Sequence, residues 1–157
     1  MLRDEYNKLV DEFADTLYRY IVKMTADCEL SKDITQDCWL KLWEISNNVD
    51  IANAKGFLFQ TAYHIVVDNS RRNAVKQKYL EQITQQNVTI QTNEDRELID
   101  YYLDKLPKDY KTCLLLRDEQ GYSYEEISQI TEMTLEKVKV TIYRARVKMK
   151  QFLMKGK

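Results

Sequence analysis

The chain has 157 residues, with 24 Lys and Arg against 25 Asp and Glu, 44% hydrophobic residues, three Gly, one Pro and three Cys. That length suits one ordinary domain or two small ones, and so little Gly and Pro excludes collagen-like and Pro-rich linker classes and disfavours a turn-rich β-sandwich. No apolar run approaches the ~18 residues of a membrane span, and the charged opening MLRDEYNKLVDEF has no apolar core of a secretion signal.

Helical periodicity dominates from the start. Leu9, Phe13, Leu17, Tyr20, Ile21 and Met24 recur every three or four residues, as on the buried stripe of an amphipathic helix. Ser31 is the expected N-cap of a second helix, Lys32 to Ser46, buried through Ile34, Cys38, Leu42 and Ile45. The Asx-rich stretch Asn47–Asn53 reads as a loop. A third long helix is expected from about Ala54 into Arg71-Arg72.

Residues 82–93, QITQQNVTIQTN, carry no charge and no helical period. Val88-Thr89-Ile90 could form a short strand, but a linker is the expected reading, because no neighbouring segment offers a sheet. The chain is therefore divided into a domain over 1–80, a linker over 81–97 and a second domain over 98–157. In the second domain, Leu98, Tyr102, Leu103 and Leu106 restore the period, and Pro107 opens a helix that buries Cys113–Leu116 and stops near Gly121. Ser123-Tyr124-Glu125-Glu126 has the form of a capping box. A short helix through Ile127 and Ile130, a turn at Thr131-Glu132-Met133, an N-cap at Thr134 and a helix to about Leu153 complete an all-α fold of two small domains, the second holding a helix-turn-helix.

The near-neutral net charge hides its distribution. Residues 137–157 hold eight Lys and Arg and no acid. On the last helix, Leu135, Val138, Ile142, Ala145, Met149 and Phe152 are the expected buried face. Lys137, Thr141, Arg144 and Lys148 then share an exposed strip, with Lys139, Tyr143, Arg146 and Lys150 beside it. A solvated face or a short coiled coil would fit the period. Solvated helices, however, mix charge signs to gain (i, i+4) pairs, and like charges at that spacing repel, so the strip points to an anionic partner, DNA.

On the second helix, Asp33, Gln36, Asp37, Leu40, Trp43 and Glu44 cluster opposite the buried stripe. Leu40 and Trp43 among carboxylates have the anatomy of a protein interface, an apolar centre with a polar rim; a helix buried on two sides in its own domain is the alternative. In the third helix Phe57, Phe59 and Tyr63 precede Asn69, Arg71 and Arg72. Such aromatics are ordinarily core, yet aromatics beside a basic end also suit single-stranded DNA, by stacking and phosphate contact. His64 has no second ligand near it and reads as structural or surface. Cys28, Cys38 and Cys113 fit neither a disulfide framework nor a zinc site, so reduced thiols in a cytoplasmic protein are expected, with no metal and no cofactor.

These segments together resemble a family. Asp33-Ile34-Thr35-Gln36-Asp37-Cys38-Trp39-Leu40-Lys41-Leu42-Trp43 is similar to the D-x-x-Q-[DE]-x-[FW]-x-x-[LV]-W helix of bacterial RNA polymerase sigma factors. Gly56 to Arg72 resembles the promoter-facing helix that follows it, with Phe57 where the family usually has Trp. Leu106-Pro107 through Arg146 resembles region four, with Val140-Thr141 where Ser-Arg is frequent. The three matching segments lie in family order, and the short two-domain length is similar to the extracytoplasmic-function group.

The resemblance implies a factor that binds core polymerase and directs promoter-specific initiation. The face of Asp33, Gln36, Asp37, Leu40 and Trp43 would dock on the clamp helices of the polymerase β′ subunit. The loop residues Asn48, Asp50 and Asn53, with Tyr63, Asn69, Arg71 and Arg72, would capture an unstacked base of the minus-ten element. The second domain would pack near the β flap and read the minus-thirty-five element through Thr134, Lys137, Lys139, Thr141, Arg144 and Arg146. An anti-sigma factor would cover these surfaces. The other readings are a free-standing helix-turn-helix regulator and an adaptor that does not direct initiation. An enzyme is disfavoured by the lack of G-x-x-x-x-G-K-[ST], of clustered His/Cys ligands and of G-x-S-x-G.

Overall fold

The helices that start at Cys28, Tyr124 and Leu135 are each preceded by a side chain that accepts a first-turn backbone N–H. The computed structural model describes the backbone of residues 1–80 and 94–155 and the side chains of 1–71 and 98–155. The chain divides into two compact units, Met1–Val88 and Thr89–Lys157, and among the described residues every regular element is helical. The uncharged segment 82–93, with its linker and strand readings, lies outside the described residues.

In the first unit, α1 runs Arg3–Thr25 and ends on Ala26, which takes the left-handed conformation (φ 56°) and donates its N–H to the Val22 carbonyl at 2.8 Å. The next helix, α2, spans Cys28–Glu44, starting four residues before the expected Lys32. Its N-cap is Asp27, whose carboxylate accepts from the Leu30 N–H at 3.1 Å. Ser31 is not a cap. It is buried, and its hydroxyl donates to the Asp27 carbonyl at 2.6 Å while pairing with the Thr25 hydroxyl at 2.8 Å. A single turn of 3₁₀-helix, Ser46–Asn48, follows α2, and α3 then runs Ile51–Leu80. Helix α3 thus starts three residues before Ala54, which puts Asn53 in its first turn rather than in a loop.

The three helices pack pairwise around Leu17, Ile21, Ile34, Cys38, Leu42, Leu58 and Ala62, all fully buried. Tyr20 and Phe59 meet edge to face in this core, centroids 5.3 Å apart. Each large apolar side chain so buried is worth about 1.5–3 kcal/mol relative to exposure, which makes this contact set the main source of the unit's stability.

In the second unit, α4 is Glu94–Asp104, α5 Lys108–Leu114, α6 Tyr124–Thr131 and α7 Leu135–Lys155. Pro107 sits at the N-cap of α5. The Cys113–Leu116 run is buried as expected, but its second half winds as a π-turn, Leu115–Glu119, closed by the Gln120 N–H on the Leu115 carbonyl at 3.1 Å. Gly121 then turns the chain with φ 75°. The capping box at Ser123 is complete: its hydroxyl accepts from the Glu126 N–H, and the Glu126 carboxylate accepts from the Ser123 N–H. Thr131 is the last residue of α6, Glu132 turns through φ 63°, and the Thr134 hydroxyl caps α7 by accepting the Lys137 N–H at 3.1 Å. Helix α7 packs against α4, α5 and α6, and near its end Phe152 stacks on Tyr102 at 5.4 Å.

Candidate functional sites

Helix α2 buries Ile34, Cys38 and Leu42 against its neighbours and turns its opposite face outward. Asp33, Gln36, Asp37, Leu40 and Trp43 all lie exposed on that face, Leu40 at 59% and Trp43 at 47%. A helix buried on two sides is therefore not what this unit contains. Trp43 is held from beneath by Tyr6 of α1, whose ring meets the Trp43 indole at 4.9 Å and the Trp39 indole at 5.9 Å, both edge-on. The Tyr6 hydroxyl donates to the Trp39 carbonyl at 2.9 Å, which ties α1 to α2 at this edge. Tyr6 was not singled out from the sequence, although it continues the Leu9, Phe13, Leu17 stripe by one step.

At the second candidate site, Asn48, Asp50, Asn53 and Arg71 are exposed and Tyr63 is half-buried, its ring edge-on to His64 at 5.6 Å. Asn53 and Arg71 lie five turns apart on one line of α3, about 27 Å from each other at 1.5 Å rise per residue, with His64 near the same line. Asn69 is not grouped with Arg71. It is half-buried, and the helix turns it about 160° away, toward the side that carries the buried Leu58 and Ala62. The Arg72 side chain lies outside the described residues.

The third site is α7. Val138, Ile142 and Ala145 are buried, while Leu135, Met149 and Phe152 are half-buried at its margins. Thr141, expected on the exposed strip, is only 5% exposed. With α4, α5 and α6 all packed on it, the buried arc of α7 is wider than a single stripe, and Thr141 stands next to that arc. One cation of the strip and one beside it have partners supplied by other elements. Lys137 faces Asp109 of α5 at 3.7 Å, and Arg146 reaches Asp118 of the π-turn at 2.7 Å. Lys139, Arg144, Lys148 and Lys150 are exposed with no ion pair among the described residues. Beyond Glu136 in its first turn α7 has no acid, and its cations are thus partly compensated by carboxylates of other elements.

Arg117 ties the π-turn to the start of α6, donating to the Tyr122 carbonyl at 2.9 Å while its guanidinium lies over the Tyr124 ring at 4.7 Å. Cys38 and Cys113 are buried, and that burial pushes each thiol up to about 12, so both stay protonated at neutral pH. Among the described residues no group of three or more His, Cys, Asp or Glu is placed to hold a metal ion, and no helix is long and apolar enough to cross a membrane.

Comparison with known proteins matches the chain to one family in two successive segments. Residues 9–75 match the model of sigma-70 region 2, and residues 96–149 match sigma-70 region 4. The chain is 28% identical to the RNA polymerase sigma factor YlaC of Bacillus subtilis over 99% of its own length and 95% of that protein's. It is 23% identical to the ECF RNA polymerase sigma factor SigM of the same organism, over 96% of each chain. Its fold is that of the sigma factor RpoE of Bartonella quintana, solved in complex with the anti-sigma factor NepR, with a TM-score of 0.84 over 98% of each chain at 18% identity. Two family regions matched in order, and relatives matched along nearly their whole length, carry the conclusion that the chain belongs to the sigma-70 family of RNA polymerase sigma factors, in its extracytoplasmic-function group.

Proposed function

We propose that this chain docks on core RNA polymerase through the α2 face and directs initiation at promoters with a minus-ten and a minus-thirty-five element. The observation that carries the docking assignment is the exposure of Leu40 and Trp43 at the centre of a face rimmed by Asp33, Gln36 and Asp37. Two large apolar side chains held in water by their own unit gain most from a partner that buries them, and the carboxylate rim suits a basic one. The clamp helices of β′ are that partner in this reading. Asn48, Asp50 and Asn53, with Tyr63 and the Arg71-Arg72 end of α3, are proposed to receive the melted minus-ten strand, by stacking and phosphate contact. Helix α7 is proposed to enter the duplex at the minus-thirty-five element, with Lys139 and Arg144 as its free cations.

The factor itself performs no chemistry in this reading; the polymerase does, in the cytoplasm. An anti-sigma factor is the proposed regulator, as NepR accompanies the fold relative of Bartonella quintana. The test is run-off transcription by sigma-free core polymerase on promoter fragments from the protein's own genome. Initiation should require the protein and fall at least tenfold for Asp37→Lys, which reverses a charge in the docking rim. Absence of any transcript, together with tight duplex binding by the protein alone, would replace the reading with a free-standing regulator.

A further inference from the structure

The solvent side of α7 has a crest and two flanks. At about 100° per residue, Val140, Tyr143 and Val147 fall within about 60° of one another, directly opposite Val138, Ile142 and Ala145. All three are exposed, Tyr143 at 71% and Val140 at 45%. Lys139 and Lys150 line one flank of this crest, and Arg144 and Lys148 line the other; none has an ion pair among the described residues. Local helix stability does not account for the crest, because a β-branched residue in an exposed helix interior is weaker than Ala, Lys or Glu there.

Two rows of cations on either side of an apolar line fit one kind of partner better than others. A helix about 10–12 Å across fills the roughly 12 Å major groove, which sets its crest against the base edges and its flanks toward the two phosphate rims. Phosphate contacts from the flanks position the helix without reading sequence. Between Val140 and Val147 the crest holds no Asn, Gln or Arg for a bidentate bond to a purine, and Glu136, exposed on the same line one turn earlier, can only accept, as from a cytosine amino group. What a valine side chain discriminates in the major groove is the C5 methyl of thymine.

We propose that the apolar crest of α7 reads thymine methyl groups in the duplex, and that Val140, nearest the helix N-terminus, is a specificity-determining residue of this factor. The inference rests on the promoter-reading assignment of α7 and adds the base chemistry that α7 selects. The test uses the holoenzyme on a promoter that depends on this protein, with each minus-thirty-five thymine replaced in turn by deoxyuridine, which removes only the methyl. At least one replacement should lower initiation by about three- to fourfold, the effect of withdrawing one buried methyl from an apolar contact. Val140→Ala should use the thymine and deoxyuridine templates equally, whereas Lys139→Ala should lower both alike and keep their ratio.

If wild-type holoenzyme uses both templates equally, yet still loses initiation when the whole minus-thirty-five element is scrambled, the crest inference falls and the promoter-reading assignment stands. If scrambling has no effect, the assignment of α7 itself falls. If the templates are used equally and Val140→Asp weakens binding to core polymerase, the crest is a protein-docking face, and the inference is overturned in favour of that role.

Discussion

The ring of Tyr6 on α1 stands edge-on beneath the indole of Trp43 on α2, with centroids 4.9 Å apart, so the aromatic centre of the proposed docking face is braced by a residue outside the helix that displays it. Aromatic pairs of this geometry contribute about 0.5–1.5 kcal/mol beyond burial. Tyr6→Ala should therefore destabilise the first unit by about 2 kcal/mol and lower polymerase affinity by more than the loss of stability explains. Tyr6→Phe keeps both ring contacts and loses only the bond to the Trp39 carbonyl, a change of about 1 kcal/mol. Denaturant unfolding of the two variants, set beside their binding to immobilised core polymerase, separates brace from bulk stability; equal binding by Tyr6→Ala and wild type would dismiss the brace.

Arg144 and Arg146 sit two residues apart on α7 and have different fates. Arg146 is tied to Asp118, whereas Arg144 faces water. Arg144→Ala should weaken minus-thirty-five-dependent initiation severalfold and reduce its salt sensitivity. Arg146→Ala should act mainly through the scaffold, and because both partners of that pair are half-exposed, by less than about 1 kcal/mol. Salt titrations of initiation by the two variants are the check, and identical slopes would remove the distinction.

Lys111 is buried in α5 and pairs with Asp104 at the end of α4. Asp104→Ala leaves a buried ammonium without its carboxylate, while Lys111→Met removes the charge and keeps most of the stem. The first should be the worse of the two, by about 1–2 kcal/mol, a figure held down because the Asp104 side chain is itself exposed to water. Chemical denaturation of the two variants should rank them in that order.

Cys38 and Cys113 bring an alkaline limit to each unit. Their folded-state thiols are pushed up to about 12, chiefly by burial, while the unfolded thiols ionise near pH 9. Between those values the unfolded chain has released protons that the folded chain retains, so stability is full below about pH 9 and falls as pH rises toward 12. Thermal unfolding should show this decline, and Cys38→Ala should flatten it in the first unit. At pH 8 a thiol reagent should label half-exposed Cys28 and spare both buried cysteines until the chain unfolds.

Ala26 and Glu132 both hold left-handed backbone that L-residues avoid. Ala26→Gly and Glu132→Gly should each stabilise their own unit by about 1 kcal/mol, readable as a rise in midpoint. The Glu132 variant is the more informative, since the turn between α6 and α7 is the one that aims α7.

Helix identity, the capping box at Ser123, the Thr134 cap and the outward face of α2 were all legible in the sequence, because each depends on residues within one or two turns of each other. The start of α2 was not: Ser31 and Asp27 are both competent caps, and the choice fell to Asp27 once Ser31 was buried with its hydroxyl bonded to the Asp27 carbonyl and the Thr25 hydroxyl. Asn53 moved from loop to helix by the same kind of margin, a three-residue earlier start of α3.

Helical period and caps are local properties, so the two helical units, the outward face of α2 and the run of cations on α7 can be read from the chain alone. The burial of Thr141, the pairing of Lys137 and Arg146 with Asp109 and Asp118, and the brace of Tyr6 under Trp43 come instead from packing between helices. The width of a buried arc depends on how many helices pack against it, and a charge or a ring finds its partner across chain separations that no helical period records.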